Sequence, residues 1–131
     1  MNELVKLKTE NQISFISMDD GKANAMSVEM LESLNAALDE AERTGSVVIL
    51  SGRENVLSGG FDLGVFKSGD NAKILKMLTL GAELSHRMLS YPKPVIAACT
   101  GHAVAMGTFL LLCCDYRVGA SGNSKFAANE V

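Results

Sequence analysis

Two stretches of small residues could hold an anionic oxygen with backbone groups. They are Ser58-Gly59-Gly60-Phe61-Asp62-Leu63 and Gly101-His102-Ala103-Val104-Ala105-Met106-Gly107-Thr108. The second follows an apolar run, Val95-Ile96-Ala97-Ala98-Cys99, and leads into Phe109-Leu110-Leu111-Leu112-Cys113-Cys114-Asp115. Small residues at a strand-to-helix junction let a ligand come close to the main chain. The amides of a first helical turn have no intrahelical partners and carry partial positive charge. Together the two stretches form a candidate oxyanion hole. On pattern alone, tight packing of a helix against a sheet accounts for the same glycines, and both readings stand at this point. Neither stretch ends in Gly-Lys-Ser/Thr as a phosphate loop does, and the chain has no Gly-x-Ser-x-Gly elbow of a serine hydrolase.

Other reactive side chains have plainer explanations. Cys99, Cys113 and Cys114 are odd in number and sit in apolar runs. None has metal-ligand spacing with His86 or His102, so no metal site is expected. His102 has no Ser or Asp partner at useful spacing and reads as a hydrogen-bonded structural residue. Glu29, Asp39, Glu40 and Glu42 fall largely off the apolar face of their helix and read as a solvated surface. Asp62 is expected to cap a short helix and Asp115 to order a turn. Lys22, Lys67 and Lys93 are read as solvated, and none is assigned to a phosphate.

The elements that must position the two loops follow from periodicity. Leu4 to Glu10 and Ile13 to Met18 alternate apolar and polar about Asn11-Gln12, which predicts a hairpin. Ser27 caps a helix to about Arg43 with Leu31, Leu34, Leu38 and Ala41 on one face. Thr44-Gly45 ends it, and Val47 to Leu50 reads as a strand covered on both faces. Ser51 to Gly60 is expected to be a loop, and Phe61 to Phe66 to start a short helix. Asp70 caps a long helix to about Leu89, with Ile74, Met77, Leu78, Leu84 and Met88 as its buried stripe. Tyr91-Pro92-Lys93-Pro94 ends that helix. Val95 to Cys99 and Asp115 to Ala120 are strands, and Ser121 to Ser124 is a turn leading to Lys125 to Val131. Strands separated by helices predict an α/β fold in a single domain over residues 1–131.

A length of 131 residues with 47% hydrophobic content suffices for one real core. The net charge of −3, with no basic cluster, argues against binding nucleic acid through phosphates. Five Phe and no Trp leave little for base stacking. The N-terminus lacks an apolar signal core and the longest apolar run is too short to span a bilayer. A cytoplasmic, reduced setting without membrane partners is the expectation.

In order along the chain, six pieces resemble the enoyl-CoA hydratase/isomerase (crotonase) family. They are Asn24-Ala25-Met26-Ser27, Ser58-Gly59-Gly60-Phe61-Asp62-Leu63, Lys93-Pro94-Val95-Ile96-Ala97-Ala98, Gly101-His102-Ala103 through Gly107, Cys114-Asp115-Tyr116-Arg117, and Phe126 with Asn129-Glu130. Singly each is weak; together they are specific. The resemblance implies a crotonase-like spiral of ββα units, here without the C-terminal helices, that binds an acyl-CoA thioester. It implies backbone amides of Phe61 and Met106 as the oxyanion hole, with Gly60, Asp62, Leu63, Gly107 and Phe109 around the substrate. Met106 stands where the family has Gly, so its side chain is expected to narrow the pocket or turn the amide away.

Hydratases of the family use two glutamates. The place of the first is Phe109, which does no acid–base work; the place of the second is Glu130. On composition alone a glutamate near a terminus is a surface acid, and the motif context reverses that reading. Family isomerases resemble this pattern, and one base suffices to move a proton from C2 to C4. Phe109, Phe126 and Val131 are expected to desolvate Glu130 and raise its pKa. The leading expectation is thus a Δ3-to-Δ2 enoyl-CoA isomerase, with 2-enoyl-CoA hydration or another enolate reaction as the alternative. A non-catalytic acyl-CoA-binding or assembly fragment is the alternative of another class, because family chains ordinarily run further. Coenzyme A enters as part of the substrate, no separate cofactor is expected, and the family's trimers make a homo-oligomer the expected assembly.

Overall fold

A computed structural model describes residues 3–130. The chain opens with β1 (Val5–Glu10) and β2 (Ile13–Met18), an antiparallel hairpin. Asn11 and Gln12 turn it with φ of 50° and 67°, the left-handed pair that suits a two-residue hairpin loop. Then come α1 (Val28–Thr44), β3 (Val47–Ser51), β4 (Asn55–Ser58), α2 (Leu63–Ser68) and α3 (Asn71–Leu89). After these follow β5 (Val95–Cys99), β6 (Gly101–Val104), α4 (Met106–Leu112), β7 (Tyr116–Gly119) and β8 (Phe126–Ala127). The strands form two sheets, one in the order β1-β2-β3-β5-β7 and one in the order β4-β6-β8. Apart from the hairpin, neighbours in both sheets run parallel.

Local chemistry explains the helix starts. Ser27 Oγ accepts from Met30 N at 3.1 Å, Asp62 Oδ1 from Gly64 N at 2.8 Å, and Asp70 Oδ1 from Lys73 N at 3.1 Å. Each side chain satisfies an amide that the helix itself cannot. Lys93 is not a solvated lysine: its ammonium donates to the carbonyls of Ala41, Glu42 and Gly45 and so closes the C-terminus of α1. Asp115 ties β7 to β5, accepting from Val95 N at 2.7 Å while its own N–H reaches Val95 O at 2.8 Å.

The core lies between α1, α3 and the larger sheet, where Leu34, Leu38, Leu84 and Met88 meet Ile16, Val48, Leu50 and Val95. Three expectations are corrected here. β3 is covered well on one face only: Val48 and Leu50 are buried, but Val47 and Ile49 are half-buried. Leu34, Leu38, Leu84, Met88 and Leu110 gather on the Val48/Leu50 face, and Phe15 on the neighbouring strand is exposed. Ser51 to Gly60 is not all loop, because β4 forms within it. Gly101 to Val104 likewise pairs as β6, before a helix that starts only at Met106. Both strands are four residues long and find their stability in pairing with each other, which no local pattern announces. Leu78 in α3 is exposed rather than buried, and Ile74 is half-buried.

Candidate active site

The first loop is held from one side by the segment before α1. Met26 N donates to Gly60 O at 2.7 Å and Asp62 N to Met26 O at 3.3 Å, a parallel bridge that flanks Phe61. In such a bridge the central residue turns its own N–H away from the partner strand. The Phe61 amide accordingly donates no hydrogen bond among the described residues. Gly60 makes the turn with φ of 95°, a conformation side chains rarely adopt. A Cβ at Gly60 would lie 2.9 Å from Ala105 Cβ and 3.2 Å from Met106 N, so the two loops touch here.

The second loop turns sharply at Ala105, with φ of 52° and ψ of −124°. Ala105 N donates to Ala127 O at 2.7 Å, while Thr108 N and Phe109 N both reach back to Ala105 O. Met106 N starts α4 and, like Phe61 N, donates no hydrogen bond among the described residues. The Met106 side chain is buried and its Cε packs beside Gly81 of α3, next to the Phe61 ring. The expectation that this side chain narrows the pocket is therefore corrected: it points into the core.

An open pocket of about 440 Å³ lies in front of the loops, lined by residues that include Phe61, Leu63, Phe66, Phe109 and Glu130. Phe61 and Phe66 meet edge to face, with ring centroids 6.4 Å apart and planes at 89°. Of the residues expected around a substrate, Phe61, Leu63, Phe109 and Glu130 line this pocket. Gly60 and Gly107 are buried in the loops beneath it, and Asp62 is engaged in capping α2. Glu130 reaches the pocket because Thr108 anchors β8: its hydroxyl oxygen accepts from Ala127 N at 3.2 Å and lies 2.9 Å from Ala127 O.

The apolar surround expected for Glu130 is found only in part: Phe109 shares its pocket. Glu130 is exposed, and Phe126 is exposed and does not line the pocket. β8 is the edge strand of its sheet, with no strand paired to its far side among the described residues. Val131, the third residue named for that surround, lies outside the described residues. His102 behaves as a structural residue, its Nδ1 accepting from Lys125 N at 2.9 Å. The cysteines are buried thiols; burial pushes Cys114 up to about 12 and raises Cys113 as well. Among the described residues no group of three or more His, Cys, Asp and Glu could hold a metal, and no helix is long and apolar enough to cross a membrane.

Sequence reasoning missed the residues that build the first loop from below. Asn24 and Ser58 are fully buried polar residues. Asn24 Nδ2 donates to Met18 O at 3.0 Å and Leu57 O at 3.1 Å, while its Oδ1 accepts from Asp20 N at 2.9 Å. Asp20 in turn accepts from the N–H groups of Lys22, Asn24 and Ala25. Burial pushes the Asp20 carboxyl up, but these three N–H groups and nearby Arg53 outweigh it and hold it below the usual range. The signal available was Asp20 four residues before Asn24, a spacing typical of side chain-to-backbone turns.

The sequence profile described as enoyl-CoA hydratase/isomerase matches residues 8–131. The chain belongs to this family. The short-chain-enoyl-CoA hydratase of Clostridium acetobutylicum is 31% identical over 131 residues, covering 97% of the chain and 50% of the relative. A solved apo structure described as the Mycobacterium tuberculosis enoyl-CoA isomerase superposes with a TM-score of 0.91 at 46% identity, covering 99% of this chain and 56% of that one. A Mycobacterium ulcerans structure described as the enoyl-CoA hydratase EchA3 gives 0.93 at 46%, covering 98% and 56%. The expected fold is therefore shown: a mixed α/β chain matching these enoyl-CoA hydratase/isomerase structures. The chain spans about half the length of the curated relatives it matches.

Proposed function

We propose that the protein at its natural length shifts the double bond of a 3-enoyl-CoA thioester to the conjugated 2-position. One observation carries this reading: Glu130 lines the same pocket as Phe61, and Phe109 there supplies an apolar ring rather than a second carboxylate. The Glu130 carboxylate takes a proton from C2, and the electron pair moves through the carbonyl carbon onto the thioester oxygen. The free amides of Phe61 and Met106 receive that charge. The dienolate then collapses, C4 takes the same proton back from Glu130, and the double bond rests between C2 and C3. No water is consumed and no second base is needed. Amides that strengthen their bonds as charge develops act on the transition state; losing one such donor costs about 3–4 kcal/mol of barrier.

Hydration of a 2-enoyl-CoA is the second reading, supported by the equal identity to a structure described as a hydratase. The two differ in their optical signature: isomerisation creates a conjugated enoyl thioester and hydration destroys one. In the full-length protein, Glu130→Gln should reduce turnover of a 3-enoyl-CoA at least about 100-fold, the lower range for a general base. Unchanged turnover in that variant would remove Glu130 from the mechanism. Hydration of a 2-enoyl-CoA outpacing isomerisation in the native protein would favour the second reading.

A further inference from the structure

Ser58 touches both loops. It ends β4 and pairs with Ala103 of β6, just after an irregularity between Val56 and Ser58. Its Oγ donates to Asn24 O at 2.8 Å and accepts from Gly60 N at 3.1 Å. The hydroxyl thus fixes the peptide immediately before the one that carries the Phe61 amide. On its other side the Ser58 carbonyl lies against α4, where a Cβ on Gly107 would run into it. Gly107 follows Met106, so one residue sets the height of both amides. Ser58 is wholly buried and does not line the pocket in front of the loops, so it acts from behind them.

We infer that Ser58 is a positioning residue: its hydroxyl, clamped between Asn24 O and Gly60 N, holds the Phe61 amide in register with the Met106 amide. The inference rests on the reading of those two amides as an oxyanion hole. Ser58→Ala removes both hydrogen bonds without adding bulk; the Gly60–Phe61 peptide is then held by Gly60 O on Met26 N and can tilt about that bond, with the positive φ of Gly60 widening its range. A rotated peptide swings the Phe61 N–H away from the oxygen it should meet. Displacements of about 1 Å at such a site cost about 100-fold in the reacting state. A neutral thioester carbonyl, a weaker acceptor, should feel the change far less than an enolate oxygen does.

The test uses two probes on the full-length protein, butyryl-CoA as the neutral thioester and acetoacetyl-CoA, whose bound enolate absorbs in the near ultraviolet. Acetoacetyl-CoA ionises with solvent at equilibrium, so this readout does not need Glu130. The native protein should bind the enolate in preference to the neutral form. Ser58→Ala should weaken enolate binding about tenfold or more and leave butyryl-CoA within about twofold. Equal losses for both probes, or no loss for the enolate, would overturn the positioning role. A native protein with no preference for the enolate would overturn the oxyanion reading and this inference with it. That outcome is distinct from a failure of Glu130→Gln, which leaves the enolate measurement untouched. If Ser58→Ala does not fold, Ser58→Cys keeps a weak donor of similar size: a smaller loss confined to the enolate supports the role, and none overturns it.

Discussion

Gly60 and Ala105 face each other across the contact between the two loops, and both have positive φ, 95° and 52°. Only one of them is the residue such backbone favours. Ala105 tolerates its conformation because Ala127 O, Thr108 N and Phe109 N are all bonded to its peptide groups. Gly60 has no equivalent slack, since a Cβ there would meet Ala105 Cβ at 2.9 Å as well as the unfavourable φ. Gly60→Ala should therefore lose about 1–3 kcal/mol in a urea titration, the usual cost of a strained backbone position. Adding Ala105→Gly removes the side-chain part of the clash and should return some of that loss, leaving the close approach to Val104 O and Met106 N and the part due to φ. Simple additivity of the two substitutions would show that the loops do not press on each other.

At the scale of elements, the segment between β2 and α1 is the template on which the first loop is laid. Asp20 orders it with three backbone N–H groups, and Ala23 O, Asn24 O and Met26 then bind Gly59, Ser58 and the peptides around Phe61. Asp20→Asn keeps the size but loses the charge and one of the two acceptor oxygens, and should cost about 1 kcal/mol at neutral pH, a low figure for charge-assisted bonds because the turn is partly exposed. The sign of the pH dependence follows from a carboxyl held below its ordinary value of 3.8. Its contribution is present in full above that value and is lost as pH falls through the lowered folded value, so native and variant stabilities should converge there. A difference that persists into strong acid would remove the charge from the account. This template also marks the limit of what a sequence shows. The caps at Ser27, Asp62 and Asp70, the hairpin and the long helices were legible because each is local. β4 and β6 were not, since each is a short strand defined by the other across a separation of more than forty residues. The place of Glu130 at the pocket rests on Thr108 anchoring β8, a tie between residues nineteen apart with no periodic signature. The seat of the Phe61 ring likewise depends on Gly81 in another helix, where a Cβ would run into it, and no reading of its own loop could supply that.

At the scale of the whole chain, the larger sheet has two edges of different character. β1 carries exposed Lys6, Lys8 and Glu10, with a Lys8–Glu10 ion pair at 3.3 Å; such charges discourage strand-to-strand association. β7 at the other edge is exposed throughout, with Tyr116 at 65% and Val118 at 53% of full exposure. The charge of Arg117 does not guard it. Its Nη1 is committed to Leu111 O at 2.9 Å and Cys114 O at 2.8 Å, closing the end of α4. In α4's last turn Leu112 is also exposed, at 61%. An edge whose one charged side chain is engaged with the end of α4 invites a second strand, and apolar surface beside it adds a driving force of about 25 cal/mol per Å² covered. The 131-residue chain should therefore self-associate with rising concentration, and Val118→Lys should move that onset upward several-fold in sedimentation or light scattering. Lys8→Val, which strips a charge from the opposite edge, should add a second mode of association to the first. Association indifferent to Val118→Lys would place the contact elsewhere, with the open apolar pocket before Phe61 and Phe109 the next surface to substitute.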